Sequence, residues 1–549
     1  MFSKNKIDVL YIHPSRNESD YSIPMGVIGL MNSIDCIKIG KMYFEVTEDI
    51  ISNSKIIAMD CHWYFSLSEI GRMAKEFKKI NPSIVIIIGG HTATVFAEMI
   101  VDRFKIDYVI KGDAEIPFPL LIKELLEGRD GRHVPNIVNK RFTTPQSYHL
   151  TREDYSKYDY ITIDWFPIFK ERMIKIHKVL PFGCNGSLGL YPFIPVYKGC
   201  KYNCNFCYAR KQLQKKLYRR ALVSRTPESI IKDLQICSKH KEIKQVHMIA
   251  DFVNILDEEY TNKIFSQKYD INLYYEFEHF NSPPIDILGK MMDCFNKCYF
   301  TFIFSEPFNK HPEARFIYLR EVLNYFKNSA REVKVNIYRG HSKKIMKYSN
   351  ELKRNYEGLI FGSCKQWFRP MPLIYKNNND SENERYFNFW KKKADKITSK
   401  HFVAKSHKDD NSRFHALLGD ALMDAKEYNK AIHNYNAALN LDSNNITIHL
   451  SLASAYFNLK RYEEAIKEAN KAIELDCKEG KAYLILSFCY EKIKQYKKAI
   501  NELKKAEKMI PGDPGINFSL FNWHRKIAQI EHSNKELDKA ILKLRPLKK

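Results

Sequence analysis

The sequence predicts an α/β chain of several domains that ends in an all-α tail, and three observations carry that reading. Short β-rich apolar runs alternate with amphipathic helical patterns through the first third. The alternation resumes after a cysteine-rich segment and continues to residue 375. From residue 412 a 34-residue period takes over. At 549 residues, 44% hydrophobic and 13% aromatic, the chain is long enough for roughly two to four cores. The expected organisation is an α/β domain over 1–135, a connector over 136–190, a second α/β domain over 191–375, a charged linker over 376–411 and helical repeats over 412–549.

In the first domain, residues 7–13 (IDVLYIH), 55–60 (KIIAMD), 83–88 (SIVIII) and 107–111 (DYVIK) read as strands. Helical patterns at 24–34, 66–80, 92–104 and 115–127 separate them. Strand–helix alternation predicts a parallel, doubly wound sheet of Rossmann-like, flavodoxin-like class. Ligands of such sheets sit beyond the C-terminal strand ends. Those ends carry Pro14-Ser15, Cys61-His62-Trp63, Gly89-Gly90-His91-Thr92 and Gly112-Asp113-Ala114-Glu115. Their glycines let a large ligand approach the backbone closely.

The run YKGCKYNCNFCYAR places Cys200, Cys204 and Cys207 in a C-x3-C-x2-C triplet. An odd number of thiols closes no set of disulfides. Zinc usually takes four ligands in two pairs, and no second C-x2-C or H-x3-H follows within about thirty residues. Three thiolates can hold three irons of a cubane cluster and leave the fourth open. Around the triplet, 192–199 reads as a strand that delivers the cysteines onto a loop. Residues 225–237 read as a helix with Thr226 as cap and Pro227 at its first position. Strands at 244–251, 271–280, 298–307, 332–338 and 356–363 follow, with helical runs at 258–266, 284–295 and 313–327. Glu276, Glu278 and Tyr338 fall where strands could line a pocket.

The remaining nine cysteines are scattered and no signal peptide opens the sequence, which predicts a reducing, cytoplasmic setting. No run of about eighteen apolar residues is present, so no membrane span is expected. The net charge of +24 does not point to nucleic acid. Lysine far outnumbers arginine, and the basic residues spread through every region, with one cluster at 210–220.

In the tail, register is kept through Leu418/Leu452/Leu486, Gly419/Ala453/Ser487, Tyr428/Tyr462/Tyr496, Ala431/Ala465/Ala499 and Ala438/Ala472/Ala506. Small residues recur where antiparallel helices approach closely, and tyrosine fills the space between repeats. This pattern resembles the tetratricopeptide repeat (TPR), an all-α solenoid. Pro511 closes the third repeat, and 514–545 reads as one or two capping helices. The resemblance implies a concave groove for a peptide or protein.

The triplet, its Lys198-Gly199 lead-in and the aromatic Phe206 before the third cysteine resemble the signature of radical S-adenosylmethionine (SAM) enzymes. That resemblance implies a partial TIM-type (β/α)6 barrel and a 4Fe–4S cluster on Cys200, Cys204 and Cys207. It also implies SAM on the open iron, cleaved on reduction to a 5′-deoxyadenosyl radical, and an electron donor such as ferredoxin or flavodoxin. Phe206, Arg225, Asp251, Ser305 and Glu306 are the implied SAM contacts. The stretch after Glu306 departs from the family's usual turn, and the fifth strand lacks its usual loop.

IPMGVIGL (23–30), GGHTAT (89–94) and GDAEIPF (112–118) are similar in order and spacing to the cobalamin-binding domain that precedes many radical SAM domains. Pro14, Cys61, His62, Gly89, Gly90, Thr92, Gly112, Asp113 and Glu115 are the implied cobalamin contacts. No D-x-H-x-x-G motif supplies a lower-axial histidine, and His62 and His91 are the nearby imidazoles. The combination implies cobalamin-dependent methyl transfer or other C–H functionalisation, with repeats that recruit a peptide or protein. A cobalamin-independent enzyme and a non-catalytic Fe–S/TPR adaptor are the alternatives. The substrate is not legible.

Overall fold

The computed structural model describes residues 6–14, 25–61, 67–179, 192–202, 211–217, 219–248, 251–277, 283–304, 312–329, 333–339, 343–356, 360–363, 388, 407–424, 426–476 and 480–509. They fall into two compact units, one within residues 1–404 and the other within 405–549. Among the described residues no helix is long and apolar enough to cross a membrane.

The first sheet has seven strands: β1 (Ile7–His13), β2 (Lys38–Met42), β3 (Ser54–Asp60), β4 (Val85–Gly89), β5 (Tyr108–Ile110), β6 (Ile137–Asn139) and β7 (Phe142–Thr143). Their order is β2-β1-β3-β4-β5-β6-β7, with the first five parallel and the last two antiparallel. The order 2-1-3-4-5 is the flavodoxin type, with its topological switch between β1 and β3. β1, β3 and β4 are buried on both faces, which is why they read as continuous apolar runs. β2 escapes that reading because Lys38 and Lys41 alternate with apolar residues on an edge strand. Its Gly40 is pressed by the connector: an added Cβ would lie 2.6 Å from the Phe166 ring and 2.8 Å from Trp165. The β6–β7 hairpin lies in the segment read as connector and extends the sheet to Thr143. The helix expected over 92–104 is broken at Phe96 into His91–Val95 and Ala97–Arg103.

β8 (Tyr197–Gly199) and β9 (Leu222–Ser224) form an antiparallel pair that flanks the cysteine loop. Just upstream, Phe193 bridges in parallel to His247 of the second sheet, through Ile194 N–H to His247 O (2.9 Å) and His247 N–H to Pro192 O (3.0 Å). That sheet continues through β10 (Gln245–Met248), β11 (Asn272–Phe277), β12 (Cys298–Phe304), β13 (Val333–Arg339) and β14 (Ile360–Ser363), all parallel and in sequence order. Helices Pro227–Lys239, Glu258–Ile264, Ile285–Cys294, Pro312–Lys327 and Lys343–Asn355 make the crossovers. Thr226 caps the first of them through Ser229 N–H, with Pro227 at its first position. One face of the sheet (Val246, Leu273, Tyr275, Phe277, Phe300, Ile337) joins the hydrocarbon core. Alternation puts His247, Tyr274, Glu276 and Thr301 on the other face, where Tyr274 OH lies 2.7 Å from Glu276 Oε1 and 3.0 Å from Thr301 Oγ1. Glu278 and the Tyr338 side chain lie outside the described residues.

The second unit is three helix pairs: His407–Asp424 with Tyr428–Leu441, Ile446–Asn458 with Tyr462–Leu475, and Gly480–Lys492 with Tyr496–Met509. The repeating alanines are fully buried between helices. At the turn inside each pair a lysine takes the left-handed conformation: Lys426 (φ 61°), Lys460 (φ 62°) and Lys494 (φ 62°). In the second pair, Lys460 N–H bonds Phe457 O and Arg461 N–H bonds Tyr456 O, both at 3.0 Å, which is a Schellman cap. The expected capping helices at 514–545 lie outside the described residues.

Candidate functional site

At the switch point of the first sheet the C-terminal strand ends enclose a cleft with a cavity volume of about 100 Å³. Tyr11, Met31, Met59, Ile88 and Phe118 supply its apolar wall, and Gly89, Gly90 and Gly112 its rim. Gly90 (φ 107°) and Gly112 (φ 77°) occupy backbone conformations that favour glycine. At the end of β1, Tyr11 OH donates to Asp60 Oδ1 at 2.6 Å. Burial, with the Asp60 charge beside it, holds the Tyr11 phenol well above its ordinary pKa, so it stays a neutral donor. With that proton directed to Asp60, the 3.2 Å contact to His13 has Nδ1–H donating to the phenol oxygen.

Of the residues implied for cobalamin, Gly89, Gly90, Gly112 and Glu115 border this cleft. Cys61 is buried behind it: its N–H bonds Gly89 O (2.7 Å) and its carbonyl accepts from Thr92 and Ala93. Burial pushes the Cys61 thiol up, so it is neither a thiolate nor a rim residue. Pro14 and Thr92 are likewise buried packing residues. His62 lies outside the described residues. His91 Nε2 is 2.7 Å from Arg219 Nη1. Arginine only donates, so that nitrogen's lone pair is already engaged and does not face a metal.

The Gly112–Glu115 turn departs most from expectation. Asp113 and Glu115 face Arg219 and Lys198, pairings that the sequence reading did not anticipate. Arg219 donates from Nη2 to Gly112 O at 2.8 Å, and its Nε lies 3.4 Å from Asp113 Oδ1. Asp113 Oδ2 also accepts from Leu150 N–H at 3.1 Å. Glu115 forms an ion pair with Lys198, whose ammonium sits 5.1 Å from the Tyr155 ring centre. Lys198 and Arg219 both line the cleft. In the sequence Arg219 is one of several basic residues in 210–220, and nothing local separates it from a solvated one.

Lys198 stands two residues before Cys200. Between them Gly199 has φ 81°, and a Cβ there would lie 2.1 Å from Ala221 O. Cys200 is buried; its N–H bonds Ala221 O (2.8 Å) and its sulfur lies 3.4 Å from Tyr202 N. Lys201 Nζ donates to Ile255 O at 3.0 Å, tying the loop to the segment after β10. Cys204, Phe206 and Cys207 lie outside the described residues, and among the described ones no cluster of three metal-ligating side chains occurs.

The Arg225 guanidinium is buried, bonding Asp233 Oδ2 (2.7 Å) and Pro195 O (3.2 Å) and lying 4.8 Å from the Tyr160 ring centre. Asp251 does stand at the β10 end, fully buried, accepting from Asn254 Nδ2 (2.8 Å) with Tyr275 OH 3.5 Å away. Burial lowers the pKa of nearby Arg315, opposed by the Asp251 carboxylate. Ser305 and Glu306 lie outside the described residues.

Comparison with known proteins divides along the same lines. Residues 419–460 match the TPR repeat family, and 446–477 and 480–513 match the tetratricopeptide repeat family. The C-terminal segment carries tetratricopeptide repeats. These TPR repeats are 28% identical to the Sgt2 TPR domain of Aspergillus fumigatus, with 22% of this chain and 82% of that one covered and a TM-score of 0.22. The radical SAM methyltransferase TsrM of Kitasatospora setae, solved with cobalamin and a 4Fe–4S cluster, is 13% identical. It covers 65% of this chain and 74% of its own, with a TM-score of 0.43. An uncharacterized methyltransferase of Pyrococcus horikoshii is 24% identical over 237 residues, which are 43% of this chain and 46% of that protein. The chain therefore spans less than half the length of that relative.

Proposed function

We propose that the chain is a radical SAM enzyme that transfers a methyl group or otherwise functionalises a C–H bond, with its TPR groove recruiting a peptide or protein. The observation that carries this reading is the Cys200/Cys204/Cys207 triplet, which follows β8 in sequence and precedes the parallel sheet β10–β14. The relative from Pyrococcus horikoshii, named a methyltransferase, supports the reaction class. Sequential order without reversal suits a partial (β/α)6 barrel whose first strand is the 192–199 segment.

The three cysteines would hold a 4Fe–4S cluster, which when bound supplies an open iron for SAM and the electron that cleaves it. The chain's own part is to shelter Cys200 beside the Tyr202 N–H and to set Asp251 at the adjoining strand end. Phe206, Ser305 and Glu306 remain the proposed SAM contacts alongside Asp251. The described cysteines are all free thiols, which suits a reducing compartment such as the cytoplasm, with a ferredoxin or flavodoxin as electron donor.

Gly89, Gly90 and Gly112 would border a cobalamin at the first sheet. Gly90 and Gly112, with no Cβ at the cleft rim, leave the backbone open to a large ligand. A cobalamin-independent enzyme is the second reading. It is favoured by Asp113 and Glu115, which engage Arg219 and Lys198.

Anaerobic reconstitution with iron and sulfide should give a 4Fe–4S spectrum and turnover of SAM to 5′-deoxyadenosine or S-adenosylhomocysteine. Cys204→Ala should abolish both. A wild type without either product, or a variant that makes as much, removes the enzyme reading. Protein that stays colourless at saturating hydroxocobalamin removes the carrier role.

A further inference from the structure

The Gly112–Glu115 turn touches the polypeptide on both sides of Cys200. On the upstream side Glu115 pairs with Lys198 across 83 residues of sequence. On the downstream side Gly112 O accepts from Arg219 Nη2 across 107 residues, and Asp113 faces the same guanidinium. Two residues beyond Arg219, Ala221 O holds the N–H of Cys200 at 2.8 Å. Both carboxylates are buried, while the Lys198 and Arg219 side chains keep part of their surface in solvent, so each pair is half-buried. Gly112, Glu115, Lys198 and Arg219 also line the cleft. One four-residue turn thus contacts β8 through Lys198 and the segment that leads into β9 through Arg219, and it does so from the wall of a ligand cleft.

We propose that Glu115 and Lys198, with Asp113 and Arg219 beside them, are positioning residues for Cys200, so that the cleft and the cysteine loop are coupled. A ligand that displaces or tightens either cation changes the exposure of Cys200. By linkage, metal on the loop changes affinity in the cleft by the same factor. The inference rests on the proposed cluster site only for its consequence; the positioning of Cys200 is a property of the metal-free chain.

The test begins with that chain. Full-length apo protein is treated with iodoacetamide and each thiol is followed by peptide mass spectrometry, for wild type, Glu115→Gln, Lys198→Met and the exchange Glu115→Lys with Lys198→Glu. Cys200 should alkylate about tenfold faster in both single variants. Cys237 and Cys298, buried in the core of the second sheet, should keep their rates, and the exchange should recover most of the protection. Rates for Cys200 within twofold of wild type overturn the proposal, as does equal acceleration at Cys237 and Cys298, which marks general loosening. In a second arm, hydroxocobalamin affinity is measured with and without iron and sulfide loaded. A shift of about fivefold or more in wild type that collapses in Glu115→Gln supports the coupling. Equal affinities overturn it. A wild type that takes up no cluster fails the proposed function while the alkylation result still decides the positioning role.

Discussion

Replacing Gly199 by alanine tests how the cysteine loop is built. At φ 81° an alanine carries the left-handed penalty of about 1–2 kcal/mol. Its Cβ would also lie 2.1 Å from Ala221 O and 2.9 Å from Ala221 C, both backbone atoms that no rotamer change can move. Relief requires the Ala221 carbonyl to shift, which loosens its bond to Cys200 N–H, worth about 1 kcal/mol. The sum is about 3 kcal/mol against the closed hairpin, which corresponds to roughly a hundredfold larger open population. Hydrogen exchange of peptides over 197–224 in the full chain should accelerate by about that factor, and iron uptake should fall with it. Gly26→Ala is the contrast, because nothing lies within 4 Å of its added Cβ. In the helix Met25–Asn32 that change should be neutral or stabilise by about 0.5–1 kcal/mol. Unchanged exchange at 197–224 in Gly199→Ala, or identical behaviour of the two variants, would refute the reasoning.

Lys426→Gly, Lys460→Gly and Lys494→Gly should each stabilise the repeats by about 0.5–1 kcal/mol, since glycine removes the left-handed strain at some cost in chain entropy. Thermal unfolding of the helical signal checks this, and a lowered midpoint in the triple variant counts against it. Arg225→Met leaves Asp233 buried without its cation and should cost about 3–5 kcal/mol, most of it regained on adding Asp233→Leu. A single variant as stable as wild type would show the pair to be dispensable. The hydrogen bond that His449 Nδ1–H donates to the Glu468 carboxylate raises the His449 pKa, assisted by Ser443 O and opposed by burial. A raised folded value gives stability that is complete below the ordinary histidine pKa of about 6.5 and is lost as pH rises through the folded one. The urea midpoint of wild type relative to His449→Gln should therefore shrink upward through that window; an advantage that grows with pH contradicts it.

Much of the architecture was legible because burial on both faces writes itself as uninterrupted apolar residues. That holds for Ile7–His13, Ser54–Asp60 and Val85–Gly89. It fails for Lys38–Met42, an edge strand whose two lysines dilute the signal, and for the helix Lys343–Asn355, whose lysines and arginine dominate its composition. The strand ends of the first sheet were placed together by topology alone, and four of the named residues do meet at one cleft. What the buried acids Asp113 and Glu115 face was not readable, because their cations arrive from about a hundred residues away. Arg225 shows the converse limit: a basic residue in a motif-like position packs as a buried ion pair.

The first repeat carries a constraint on how such an array can change. A Cβ at Gly419 would meet the Tyr435 ring at 2.5 Å. The corresponding positions hold Ala453 opposite Ala469 and Ser487 opposite Leu503, all buried. The residues at this seam therefore differ from pair to pair, glycine against tyrosine in the first and alanine against alanine in the second. Joining the leading helix of the second pair to the trailing helix of the first would set alanine against tyrosine, and the reverse exchange would leave a void. At this seam the array changes at least cost by gaining or losing a whole 34-residue pair, because each leading helix is fitted to its own trailing helix.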